Sequence, residues 1–260
     1  MPEPTFRQRF LNTYHYQPVD RVPDMEFGYW AENYAVWHRQ GLPEWVVDEA
    51  TAYEYFGVDR SGNWGLPVKH GMRPAFEPGV LAETASHRIE RRSDGTVVEV
   101  PLDGHSTIPR FIEFPVKSRD DFEAMKERHD PDDSTRYPRP DDLPRIRQRY
   151  ADRSGLAVCP CGGFYGWARN WMGMENLSMM FYDDPDLMAE MFEWMADYVI
   201  ALIRRTAAML DIPGFRIDLG TWWEDMCFRG GPLISPAMFR EFELPNYRKV
   251  TSFLRREFGC

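Results

Sequence analysis

Leu156-Ala157-Val158-Cys159-Pro160-Cys161 runs directly into Gly162-Gly163-Phe164-Tyr165-Gly166-Trp167-Ala168-Arg169. The first six residues follow Gly155 and precede a glycine pair, so they are too few for a helix and read as a short buried strand. A buried strand emptying into a glycine- and aromatic-rich turn is the junction of a βα unit. Next comes the most strongly periodic helix of the chain, residues 185–210, where Met188, Met191, Phe192, Met195, Val199, Leu202 and Ile203 recur at steps of three and four. That spacing gathers them on one face. Asp184 supplies an N-cap and Pro185 suits a first-turn position. Residues 215–219 read as the following strand. Ser235-Pro236 then opens a helix toward Phe258, with a break expected at Pro245.

Working back toward the N-terminus, residues 5–16 predict a helix capped by Thr5 and ended by Pro18. Residues 22–28 predict an extended first barrel strand, and residues 29–40 and 43–56 predict helices closed by Gly41 and Gly57. Residues 86–92 and 96–100 are β-rich arms around Ser93-Asp94-Gly95, a hairpin turn signal. An antiparallel hairpin does not belong to a repeating βα unit, so residues 85–101 read as an insertion, with residues 108–114 returning the chain to the barrel. Residues 118–127 predict a helix, Asp130-Pro131-Asp132-Asp133 a surface loop, and residues 143–153 another helix. The alternation predicts parallel βα units. The expected fold is therefore α/β: a (β/α)8 TIM barrel over residues 1–260 as one domain, with an inserted β-hairpin near residues 85–101. Five strand candidates are visible against the eight a closed barrel needs, so the barrel is expected to be truncated at its C-terminus, with strands beyond Cys260.

A chain of 260 residues matches the usual length of such a barrel. Apolar residues at 43% and charged residues at 28% exclude a disordered tail. No apolar run reaches the eighteen or so residues that span a bilayer, and residues 1–9 lack the apolar core of a secretory signal. A net charge of −10 without a basic stripe argues against nucleic acid. Cys159, Cys161, Cys227 and Cys260 are too sparse for a disulfide framework and fit a reducing, cytoplasmic setting.

Chemistry in a parallel barrel sits at strand C-termini and the loops after them. Three segments qualify: Glu26-Phe27-Gly28-Tyr29-Trp30, Cys159 to Arg169, and Asp218 to Asp225. The last ends in Trp222-Trp223-Glu224-Asp225, a flat apolar wall beside two carboxylates that could move a proton or steady developing positive charge. The alternative is that Glu224 and Asp225 are loop or cap groups. Arg169 can hold a substrate carboxylate bidentately or stand on the surface of a first helical turn. Cys159 and Cys161 read as buried core thiols rather than zinc ligands, since no histidine is near them in sequence. His105 reads as a solvated loop residue. Walker, GxGxxG, GxSxG and HExxH motifs are absent.

Phe10-Leu11 through Pro18-Val19-Asp20-Arg21-Val22-Pro23 resembles the opening of the uroporphyrinogen decarboxylase superfamily. Leu233-Ile234-Ser235-Pro236-Ala237-Met238-Phe239-Arg240-Glu241-Phe242, with Leu244-Pro245, resembles its later signature, and Gly162 to Arg169 falls where the family has its middle-strand turn. The resemblance implies a barrel-mouth active site with one of two chemistries. One is corrinoid-linked methyl transfer to a thiol or other acceptor, usually through zinc; the other is cofactor-free decarboxylation of uroporphyrinogen in porphyrin biosynthesis. A third reading is a non-catalytic barrel that binds a corrinoid or tetrapyrrole. The decarboxylases carry arginines just after the first strand, whereas residues 22–38 contain no Arg or Lys. Methyl transfer on a less anionic substrate is accordingly expected. Glu224 and Asp225 are the catalytic candidates; Glu26, Tyr29, Trp30, Phe164, Tyr165, Arg169, Trp222 and Trp223 are the substrate-binding ones. The implied partners are a small-molecule or tetrapyrrole substrate and a corrinoid protein. No bound cofactor is expected within these residues, while zinc in a longer protein and a homodimer both fit the family.

Overall fold

The computed structural model describes residues 4–59, 63–103, 108–153 and 155–260, and the chain divides into two compact units. The first comprises Met1–Gly65 and Gln148–Val158. Its opening helix α1 (Phe6–Tyr14) starts at Thr5 because a reciprocal capping box with Gln8 satisfies two free backbone donors. Phe10 is buried and stacks on Tyr14. Residues 22–28, expected as a barrel strand, form none. Within them the Asp24 backbone is tied to Asp59 instead of to a strand: Asp24 N–H donates to the Asp59 carboxylate at 2.9 Å, and Asp59 N–H donates to the Asp24 carbonyl at 2.9 Å. Arg21 completes the knot with a 2.6 Å ion pair to Asp59. Helices α2 (Ala31–Arg39) and α3 (Glu49–Phe56) follow, the latter begun by Asp48 and stopped by left-handed Gly57. A two-residue strand β1 (Trp64–Gly65) lies parallel to the residues from Ala157, in the register Trp64↔Ala157 and Gly65↔Val158.

The second unit comprises Leu66–Arg147 and Cys159–Cys260. Its antiparallel sheet has the order β2 (Gly79–Glu83), β3 (His87–Arg91), β4 (Val97–Pro101), β5 (Arg110–Glu113). The turn between β3 and β4 is locally encoded: Asp94 accepts from the Thr96 N–H and hydroxyl, and Gly95 takes φ +87°. Helix α4 (Arg119–Glu127) starts at Ser118, and helix α5 (Leu143–Ala151) runs toward strand β6 (Ala157–Pro160). Helices α6 (Phe164–Met172) and α7 (Met174–Asp183) pack on the long α8 (Pro185–Leu210). All seven periodic residues of α8 are fully buried. Burying such a stripe stabilises the fold by about 25 cal/mol for each Å² of apolar surface removed from water. Strand β7 (Leu219–Thr221) then leads to a small ribbon of β8 (Cys227–Phe228) and β9 (Gly231–Pro232).

The final helix does not break at Pro245. A short α9 (Pro236–Met238) widens into a π-helical turn, Phe239–Glu243, and continues as α10 (Leu244–Phe258). Proline has no N–H for the usual bond, so the ladder slips by one: Leu244 N–H donates to the Phe239 carbonyl, and the Asn246 side chain serves the Phe242 carbonyl at 2.9 Å.

The TIM barrel expected from the sequence is not the fold. The described residues form a mixed α/β structure with three small sheets of three, four and two strands. Residues 108–114 do not return to a parallel barrel: Phe111 pairs with Val98 and Arg110 with Glu99, making β5 the last strand of the antiparallel sheet. The 215–219 strand begins later, at Leu219. Among the described residues no helix is long and apolar enough to cross a membrane.

Candidate active site

The two segments singled out in the second unit meet. Cys161 N–H donates to the Thr221 carbonyl at 2.7 Å, and Trp223 N–H donates to the Gly162 carbonyl at 2.8 Å. These bonds press the start of α6 onto Trp223 and Glu224. A Cβ on Gly163 would stand 2.1 Å from the Trp223 carbonyl oxygen, so only glycine allows this approach.

Gly163 occupies the N-cap of α6 and brings no side chain to satisfy the free N–H groups. Glu224 does so from across the loop. One of its carboxyl oxygens accepts from Phe164 N–H at 2.5 Å and the other from Gly166 N–H at 2.9 Å. Tyr247 of α10 donates its hydroxyl to the same oxygen as Phe164. The helix N-terminus favours negative charge here. Burial nonetheless raises the Glu224 pKa, with the Tyr247 and backbone hydrogen bonds opposing it. Burial beside this carboxyl pushes the Tyr247 phenol far above its usual range. The result is a carboxyl held rigidly by three donors, with a phenol as its proton-carrying neighbour.

Arg169, on the second turn of α6, is paired with Asp225. One guanidinium nitrogen lies 3.1 Å from the Asp225 carboxylate, and another donates to its carbonyl at 3.3 Å. The arginine is therefore committed to a neighbour at the site's own acidic end. Phe164 is buried with its ring 4.8 Å from that of Tyr247, and Trp222 lies 5.6 Å from the same ring. Trp223, at 62% exposure, faces outward. Tyr165 is buried, and neither its hydroxyl nor the indole N–H of Trp222 finds a hydrogen-bond partner among the described residues.

Glu243 was not among the sequence-derived candidates. It is fully buried, and neither carboxyl oxygen has a hydrogen-bond partner among the described residues. Burial, with the Glu224 charge as a second cause, pushes its pKa up to about 8. The π-helical turn places it there, because the one-residue slip rotates position 243 relative to an unbroken helix. Proline two residues after a carboxylate was the signal available in the sequence. Tyr247, one turn beyond Glu243, carried no comparable sign.

Glu26, Tyr29 and Trp30 lie in the first unit. Tyr29 belongs to an aromatic cluster, edge-on to Trp37 at 5.3 Å and to Tyr53 and Phe56 at 5.9 Å. Glu26 is exposed and its carbonyl accepts from the Tyr53 hydroxyl at 3.2 Å, while Trp30 is 63% exposed at the start of α2. His105 lies outside the described residues.

The residues present do not fit a zinc set. No three His, Cys, Asp or Glu side chains gather to hold a metal among the described residues. The Cys159 and Cys161 sulfurs are buried 3.8 Å apart, and Cys161 donates to the Cys159 carbonyl. Their mutual hydrogen bond and their burial raise the Cys159 pKa far above the thiol range. No protein-family model matches the chain, and neither does any curated protein.

Proposed function

We propose that the chain is an enzyme of acid–base character that transfers a methyl group, with Glu224 as its proton-exchanging group. The observation that carries this reading is the Glu224 carboxyl, fixed by two backbone N–H groups and the Tyr247 hydroxyl while burial raises its pKa. A carboxyl poised nearer neutrality exchanges protons more effectively than a solvated one. In the proposed reaction an acceptor thiol would give its proton to Glu224 as its sulfur takes a methyl group, and a corrinoid, if bound, would supply that methyl group and leave demethylated. Trp222 and Phe164 supply apolar walls. Asp225 neutralises Arg169, so this arginine is not left to compensate the Glu224 carboxyl or a substrate carboxylate. That balance repels a polycarboxylate and suits a neutral or cationic substrate.

One observation favours a second reading. Glu243, whose pKa is raised to about 8, is a neutral buried acid near pH 7. Decarboxylation of a pyrrole acetate requires such an acid to protonate carbon.

Incubation of the chain with methylcobalamin and 2-mercaptoethanol tests the first reading through the visible spectrum of the demethylated corrinoid. Glu224→Gln is expected to slow demethylation about 100-fold, within the usual contribution of a general acid or base. Carbon dioxide released from uroporphyrinogen, without demethylation, would establish the second reading instead. If the chain drives neither reaction, both enzyme readings fail and a binding role stands.

A further inference from the structure

Helix α6 presents its first N–H groups to Glu224, but its later residues Trp167, Asn170 and Trp171 line a different cavity, of about 330 Å³. Two histidines, His70 and His129, also line it. The volume is at the small end of ligand pockets, room for a single ring. Trp167 and Trp171 lie nearly parallel at 6.0 Å, a flat apolar wall.

Both imidazoles are held by one ring nitrogen. His129 Nδ1 donates to the Met125 carbonyl at 2.8 Å, and the His70 ring is hydrogen-bonded to the Pro160 carbonyl. The other nitrogen of His70, Nε2, is buried and has no hydrogen-bond partner among the described residues. A backbone carbonyl on one nitrogen sets the tautomer, leaving Nε2 as a lone-pair acceptor.

The loops carrying the two histidines are fixed by one buried cation. Arg136 is 1% exposed, and its guanidinium donates to the carbonyls of Lys69 and Gly71, on either side of His70, and to those of Arg128 and Asp130, on either side of His129. Tyr198 ties the two together: its hydroxyl donates to the His70 carbonyl at 2.8 Å and its ring stands edge-on to His129 at 5.4 Å. Four main-chain bonds from one guanidinium to both histidine loops make a preorganised site, and an unpartnered buried acceptor is costly unless something donates to it.

We propose that this cavity is a second small-molecule site, distinct from the Glu224 centre, which takes a one-ring aromatic hydroxyl or amine whose O–H or N–H donates to His70 Nε2. The ring lies against the Trp167 and Trp171 indoles. Asp94, which also lines the cavity with its carboxylate held by the Thr96 N–H and hydroxyl, disfavours an anionic ligand, and buried Arg136 behind the two histidine loops disfavours a cationic one. A neutral donor satisfies both.

Phenol and anisole form the test pair, since they share a ring and differ in the donor. Titration of the unaltered chain, followed by tryptophan fluorescence and by the imidazole ¹⁵N resonances, is expected to give saturable phenol binding that shifts His70 Nε2. Anisole is expected to bind about tenfold more weakly, the worth of one hydrogen bond. His70→Phe should abolish that preference, while Glu224→Gln should leave it unchanged, which separates this site from the catalytic reading. Equal binding of the two probes, or no saturation up to the solubility of phenol, overturns the proposal. Should His70→Phe fail to fold, the phenol and anisole comparison on the unaltered chain decides it alone.

Discussion

The second unit contains two buried polar centres built on opposite logic. Around Glu224 and Glu243, two carboxyl groups are buried close enough to feel each other's charge, and burial raises both pKa values. Around His70 and His129, a buried guanidinium stands beside two bases, and burial lowers both to about 4, with Arg136 adding to the effect. Glu243 holds its proton at neutral pH, and the two imidazoles stay without theirs. The same desolvation acts in both; the sign differs because the charged form is an anion in one and a cation in the other. Helix α6 contributes to each, with its N–H groups on one side and its indoles on the other.

The largest expected effect tests this contrast through pH. Each imidazole has a folded pKa near 4 against 6.5 for a free histidine. Its stabilisation is complete above pH 6.5 and is lost as pH falls through 4, because the unfolded chain takes up the protons first. At about 1.4 kcal/mol per pH unit, that is roughly 3 kcal/mol for each histidine. Urea unfolding between pH 7 and 4 is expected to show the loss, and His129→Gln should remove about half of the slope. A flat profile would erase the contrast.

Glu243 should produce the mirror image. Its folded pKa of about 8 lies above the carboxyl value of 4.5, so its contribution is complete below pH 4.5 and declines as pH rises through 8. Glu243→Gln is expected to leave stability at pH 5 little changed and to remove a decline of roughly 4 kcal/mol on the alkaline side. Parallel denaturation curves for the variant and parent at pH 5 and 9 would contradict this.

Gly163→Ala tests the contact that builds the Glu224 centre. Its Cβ would meet a main-chain oxygen that cannot rotate away, and a loss of about 2–3 kcal/mol is expected from such overpacking. The midpoint of thermal unfolding reads it. Turnover should fall as well, because Glu224 loses its grip on Phe164 and Gly166. Tyr247→Phe is the mildest change: removing one donor to Glu224 is expected to cost about 1–2 kcal/mol and to raise the Glu224 pKa further, visible as a shift of any pH–rate profile toward alkaline values.

Much of the local structure was written in short patterns. Thr5 with Gln8, Asp94-Gly95 and the three-and-four spacing in residues 185–210 each specify a cap, a turn or a helix face within a few residues. The glycine pair and Trp223-Glu224 were marked as separate segments, and the main-chain bonds from Cys161 to Thr221 and from Trp223 to Gly162 bring them together. The number and direction of the strands were not legible. Residues 22–28 have strand-like composition, yet Asp24 among them bonds to Asp59, and Arg110–Glu113 pair with β4 instead of a parallel neighbour. Strand pairing depends on partners far along the chain, and hydrophobic pattern alone does not name them.

Chain chemistry alone specified where helices begin and turns occur, and it marked Glu224 and Asp225 as chemically interesting, because these follow from a residue and its near neighbours. It was silent on Glu243, Tyr247 and the His70 pocket. Those arise only when the slipped turn before Pro245 aims a carboxyl inward and when Arg136 gathers two distant loops. Burial and electrostatic surroundings belong to the packed molecule, and they decide whether an ionisable side chain is a solvated ornament or a working acid.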